Sequence, residues 1–299
     1  MPISDDHRHI NLPSAREDAG RAKQQLDTPQ TRAPTYKLAF ADPEFLLRDE
    51  LRPVRVQLEL LKPELELQAQ GITSTIVVFG SARIHEPAQA RARRQEAAAQ
   101  AEAAPDDLRL RHAAAAARRA EALAHNYDRA RDFARLVSQS RDENGRQRYV
   151  IVTGGGPGIM QAANEGAALA GGVSIGHNIV LPHEQAPNPF VTPELCFQFH
   201  YFSMRKMHLL TRARALVAFP GGFGTMDELF ETLCLIQTGK ARPLPVLLFD
   251  RAYWTKVIDF EAMVEYGMIN EADLSIFSFV ESAEEAWKVI EDHYAESHG

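Results

Sequence analysis

Short apolar runs, each closed by a glycine-rich or polar turn and followed by a helical pattern, recur from residue 74 onward. Residues 74–79 (Ser-Thr-Ile-Val-Val-Phe) run into Gly80-Ser81-Ala82-Arg83, and residues 148–153 into Gly154-Gly155-Gly156-Pro157-Gly158. Residues 215–219 (Ala-Leu-Val-Ala-Phe) run into Pro220-Gly221-Gly222-Phe223-Gly224. Continuous β-branched and aromatic runs bounded by glycine predict buried strands. Further strands are predicted at 173–180, 245–249 and 275–280, and helices at 159–170, 203–214, 225–238, 253–266 and 283–294. A Pro/Asn-rich loop covers 181–195. Strands alternating with helices imply an α/β fold, a Rossmann-like, doubly wound, mostly parallel sheet with helices on both faces.

Two regions interrupt or precede that alternation. Residues 1–35 are polar and weakly periodic, and are expected to form a mobile tail. Residues 36–73 form a helical extension, with Phe45, Leu46, Leu58, Leu61 and Leu65 as apolar positions and breaks expected near Pro53 and Pro63. The main domain then covers 74–299, with an insert at about 86–140 built almost wholly of Ala, Arg, Glu and Gln. These strong helix formers, restarting at Pro105-Asp106-Asp107, predict a long helical hairpin, and its interspersed acidic residues and few aromatics favour a solvated arm or subunit contact over a nucleic-acid arm.

Composition narrows the function classes. The 299 residues are 45% apolar and 24% charged with a net charge of −7, which gives no electrostatic support to nucleic-acid binding. Cys196 and Cys234 form no CxxC; both are expected to be small buried hydrophobes in a reducing cytoplasm. The amino-terminal stretch has no apolar core, so no signal peptide is expected, and no run is long enough for a membrane span. The histidines, His177, His200 and His208 among them, show no HxH or HExxH spacing, so no metal site is predicted.

The candidate chemistry lies in the turns. Glycine lets a backbone approach a ligand closely, and the amides opening the helix after Gly224 suit an anionic group. Thr225, Asp227 and Glu228 fall in that helix's first turns. The tract at Gly154 departs from G-x-G-x-x-G because Ile159 stands where a glycine would be needed, and neither tract ends in Gly-Lys-Ser/Thr. A mononucleotide or sugar-phosphate cradle made by three converging strand-end loops is the leading physical reading. Ser203 is a candidate N-cap, placing Arg205 and Lys206 in a first helical turn, where cations oppose the helix dipole. That placement favours an anionic partner for Arg205, while Lys206 could equally be solvated.

Met204-Arg205-Lys206 with Pro220-Gly221-Gly222-Phe223-Gly224-Thr225-Met226-Asp227-Glu228 resembles the paired RK and PGGxGTxxE motifs of the LOG ("Lonely Guy") family, formerly labelled lysine decarboxylases. Gly80-Ser81, the tract from Gly154 to Met160 and Gln237-Thr238-Gly239 agree with it, so the likeness spans about 74–250. It implies a phosphoribohydrolase that converts AMP or an N6-prenylated AMP to free base and ribose 5-phosphate, without metal or organic cofactor. By that resemblance Arg205 and Glu228 are the catalytic pair. Gly80, Ser81, Gly154, Gly155, Gly156, Gly158, Met160, Met204, Lys206, Gly221, Gly222, Gly224, Thr225 and Asp227 would line the substrate and phosphate site. The extension and the insert resemble a longer bacterial subgroup. A cytoplasmic homodimer or higher homo-oligomer is expected, with no nucleic-acid or membrane partner. The competing reading is a non-catalytic nucleotide-binding or cofactor-carrier protein of the same superfamily.

Overall fold

β1 (Thr75–Phe79), β2 (Val150–Thr153), β3 (Ser174–Ile179), β4 (Cys196–Phe199), β5 (Ala213–Ala218), β6 (Val246–Phe249) and β7 (Phe277–Val280) form one sheet in the order 4-3-2-1-5-6-7. Every pairing is parallel. The structure is a computed structural model and describes residues 12–24, 26–182 and 186–296. The chain divides into two units, 1–71 and 72–299.

Direction reverses once in the sheet. The chain winds outward from β1 to β4, then returns so that β5 lies against β1, with Val77 beside Leu216 and Phe79 beside Ala218. Open α/β sheets bind ligands at the carboxyl edge of such a reversal. The turns after β2, β1 and β5 belong to three neighbouring strands, so the topology brings all three glycine-containing segments to one place.

The helices of the second unit are α4 (Pro87–Ala103), α5 (Leu108–Ala122), α6 (His125–Gln139), α7 (Ile159–Leu169), α8 (Phe202–Thr211), α9 (Phe223–Gln237), α10 (Arg251–Val257), α11 (Phe260–Glu265) and α12 (Ala283–Glu296). The first unit holds α1 (Ala15–Arg21), α2 (Pro43–Leu46) and α3 (Arg52–Ala69). One core layer joins α6, α7 and α12 to the sheet through Phe133, Ala134, Val137, Ile159, Ala163 and Ile290, against Ile76, Ile151, Val217 and Leu247. Phe219 stacks on Phe249 with ring centroids 4.2 Å apart. The strands of this centre are buried along their whole length because helices cover both faces.

Several expectations are corrected here. The insert is a hairpin of α4 and α5 followed by a third helix, α6, which is the ordinary crossover between β1 and β2. Asn126, Tyr127, Ala130, Phe133, Ala134, Val137 and Ser138 are buried at helical spacing, whereas α4 buries only Ala90 and α5 buries nothing. The hairpin is instead tied by Glu121, whose carboxylate pairs with Arg94 at 2.6 Å. Pro53 starts α3 rather than breaking it, since the first helical positions need no amide donor, and Pro63 sits inside the helix at the loss of one hydrogen bond. β4 was not predicted; it is a four-residue edge strand paired only with β3. The helix expected over 253–266 is two, because the Asp259 side chain caps α11 by accepting from the Ala262 amide. The predicted amino-terminal tail contains α1, capped reciprocally by Ser14 and Glu17; residues 1–11 and 25 of it lie outside the description. Cys196 is half-buried and Cys234 exposed, so neither is a core residue. No described helix is long and apolar enough to cross a membrane.

Candidate active site

Ser81 joins the three loops. Its amide donates to the Pro220 carbonyl at 3.0 Å, and its own carbonyl accepts from the Ile159 amide at 3.2 Å. The first bond ties the end of β1 to the end of β5, and the second ties it to the start of α7. The loops after β1, β2 and β5 are therefore one hydrogen-bonded assembly.

The glycines divide by what surrounds them. Gly158 has φ 71° and ψ −131°, a conformation open only to glycine, and a Cβ there would fall on the Ser81 carbonyl oxygen. Gly158 is thus required by the fold. Gly222 and Gly224 have nothing within 4 Å of a Cβ position, so their backbone faces open space at the start of α9. The first amides of a helix lack partners within it, so this is where an anion can be held. Thr225 is buried with its hydroxyl packed against Gly221. Met160 lies over Gly154 and Gly156, while Gly155 and Gly80 are held closely by Asn178 and Ile159.

Glu228 lies on α9 just beyond these amides, and Arg205 lies on α8. The two meet at 3.0 Å between the Arg205 Nη2 and the Glu228 Oε1, with only 8% and 2% of each residue exposed. The Arg205 guanidinium also lies 4.9 Å from the centre of the Phe202 ring. Burial pushes the Glu228 carboxyl above its ordinary value of 4.5, and the charges of Arg205 and then Lys206 hold it down in part. Lys206 is engaged elsewhere: its ammonium bonds Asp227 at 2.7 Å and Glu231 at 3.2 Å. Asp227 is thereby tied to Lys206. Met204 is half-buried on α8 one residue before Arg205. Ser203 is not the N-cap of α8; Tyr201 is, so Arg205 sits in the fourth helical position and not at an opposed first turn.

Sequence reasoning missed the groups that brace this assembly. The Asn188 amide nitrogen Nδ2 donates to the carbonyls of Gly155 and Gly156 at 3.1 and 3.0 Å and to Asn164 Oδ1 at 2.9 Å. The Thr153 hydroxyl donates to the same Asn164 oxygen and accepts from the Gly155 amide, both at 2.9 Å. From β6, Asp250 takes φ 70°, and its side chain caps α10 by accepting from the Tyr253 amide at 3.1 Å. The Tyr253 hydroxyl in turn donates to the Gly221 carbonyl at 2.5 Å. Tyr253→Phe removes this one bond, and the expected result is a loss of about 1 kcal/mol in urea unfolding together with a raised KM. An unchanged midpoint and unchanged KM would show that the Gly221 turn holds itself.

His177 is fully buried among Phe197, Phe199 and His208, and burial pushes it down to about 3, so it is neutral at physiological pH. No group of three His, Cys, Asp or Glu able to hold a metal ion occurs among the described residues.

A family model described as "Possible lysine decarboxylase" matches residues 160–290, a stretch that contains both Arg205 and Glu228 and begins at Met160, the last residue of the Gly154 tract. The probable cytokinin riboside 5′-monophosphate phosphoribohydrolase LOG4 of Oryza sativa subsp. japonica is 29% identical over 143 residues, 47% of this chain and 61% of that protein. The cytokinin riboside 5′-monophosphate phosphoribohydrolase LOG1 of Arabidopsis thaliana is 28% identical over 162 residues, 53% of this chain and 71% of its own length. Among solved structures, the molybdenum cofactor carrier protein of Chlamydomonas reinhardtii is similar over 75% of this chain and 99% of its own, at 17% identity and a TM-score of 0.44.

Proposed function

We propose that this chain, similar in sequence to the LOG phosphoribohydrolases, hydrolyses the N-glycosidic bond of a nucleoside 5′-monophosphate, AMP or an N6-modified AMP, to the free base and ribose 5-phosphate. The observation that carries this reading is the buried Arg205–Glu228 pair, 3.0 Å apart, on α8 and α9, whose first turn has open space around Gly222 and Gly224.

The chemistry follows from those positions. Breaking the bond between ribose and base builds positive charge on the sugar ring. A carboxylate fixed in a site of low dielectric stabilises that charge more in the transition state than in the ground state. Glu228 supplies this carboxylate, holding the ribose hydroxyls or the attacking water. Arg205 orients it, keeps it ionised and assists departure of the base. The amides at the start of α9, with Thr225, receive the 5′-phosphate, and Ser81 and Gly156 line the remainder. The protein acts as a homo-oligomer in the cytoplasm, with Asp227 and Lys206 securing α8 against α9.

The pH dependence carries a definite sign. Glu228 is needed ionised and its carboxyl lies above 4.5, so activity falls on the acid side of a midpoint higher than that of an ordinary glutamate. Replacing Arg205 by Met removes the largest influence holding that value down, so the acid limb of kcat moves further up in pH. A limb at an ordinary carboxylate value in both proteins would remove Glu228 from this role.

A panel of nucleoside 5′-monophosphates assayed by chromatography, with wild type and Glu228→Ala, tests the proposal. Base release by wild type from at least one purine monophosphate, lost in the variant, is expected. Tight binding of a nucleotide without turnover by wild type would replace hydrolysis with the carrier reading.

A further inference from the structure

A cavity lies toward the amino ends of β5 and β6. Its volume is about 810 Å³, and it opens between α8 and α9 near the starts of β5 and β6. The glycine turn after β5 lies at the other end of that strand, about 16 Å away by the rise of its six residues, while the cavity wall reaches along α8 and α9 as far as Lys206 and Glu231. The cavity is within the size range of small-molecule sites.

Its walls are strongly basic. Lys206, Arg212, Arg214, Lys240 and Arg242 line it, and Glu231 is the one carboxylate among the lining residues. That carboxylate is already bonded to Lys206. Lys240 and Arg242 make no ion pair among the described residues. In a chain of net charge −7, such a concentration of cations around one cavity runs against the composition. The Tyr294 ring forms part of the wall, with the Arg214 guanidinium 5.8 Å from its centre and its hydroxyl bonded to the Arg214 carbonyl at 2.7 Å. Cations drawn from two chain segments, Arg212 and Arg214 entering β5 and Lys240 and Arg242 leaving α9, suit an extended anion better than a single phosphate.

We infer that this cavity binds a polyphosphorylated small molecule, its phosphate chain spanning Arg214 to Lys240 and Arg242 and any flat ring lying against Tyr294. The residues that carry it, Arg212, Arg214, Lys240, Arg242 and Tyr294, are not among those assigned to hydrolysis, although Lys206 lines the cavity and neighbours the catalytic pair.

Isothermal titration of the full chain with ATP and with inorganic tripolyphosphate tests it. Both are expected to bind, more weakly as salt is raised, and binding of tripolyphosphate alone would assign the recognition to the phosphate chain. The double variant Lys240→Ala/Arg242→Ala alters two exposed side chains and should weaken both by about ten-fold or more, since charge-assisted contacts to phosphate are lost. A melting temperature close to that of wild type confirms that this variant is folded. Failure of both probes to bind at millimolar concentration, equal affinity in the double variant, or preference for a single-stranded oligonucleotide over tripolyphosphate would each overturn the assignment.

Discussion

Glu228→Gln is expected to lower kcat on a nucleoside monophosphate by about 10²–10³, the usual effect of removing one preorganised electrostatic group from a site. The substitution keeps the side chain's volume and its ability to accept from Arg205, so the 3.0 Å contact can persist while the charge is lost. Nucleotide affinity should change far less than kcat, because the charge on the ribose exists only as the bond to the base breaks. Steady-state kinetics with equilibrium binding on the same variant separate the two effects. A variant within ten-fold of wild-type kcat would mean that the carboxylate serves packing and not chemistry.

Gly158→Ala carries the largest expected effect on the scaffold. Its φ of 71° with ψ −131° is closed to alanine, and the added Cβ would meet the backbone oxygen of Ser81, which cannot swing aside as a side chain could. Ser81 is also the residue that ties the ends of β1 and β5 to the start of α7. The expected loss is about 3 kcal/mol in urea unfolding with an unchanged m-value, since backbone conformations of this kind cost about 1–3 kcal/mol before any clash is added. Whatever activity remains should show a raised KM, because the loops would no longer share one geometry. Stability within 0.5 kcal/mol of wild type, roughly the scatter of neutral surface substitutions, would show that the turn can relax.

The strands and their glycine turns were legible because β-branched runs and glycine carry local signals that need no tertiary context. Convergence of the three loops could be inferred, but the bond pattern through Ser81 depends on strand order, which the sequence does not spell out. α6 was absorbed into the hairpin because its arginines and alanines continue the composition of the segment before it, although Tyr127, Phe133 and Val137 mark its buried face at helical spacing. β4 escaped because Cys-Phe-Gln-Phe is short and follows a proline-rich loop, so its pairing with β3 is decided at long range. The meeting of Arg205 with Glu228 was suggested by motif spacing. The supports from Asn188 and Tyr253 were not, since each reaches more than 30 residues along the chain to a backbone carbonyl and has no local pattern.

The most direct measurement incubates the purified protein with AMP in water free of added phosphate or pyrophosphate and quantifies all products. Hydrolysis at the Arg205–Glu228 site requires adenine and ribose 5-phosphate in equal amounts from wild type, and formation of both slowed by about 10²–10³ in Glu228→Gln. AMP recovered intact from wild type, whether bound or free, would contradict it for this nucleotide, and the same outcome across the purine monophosphates would contradict it altogether.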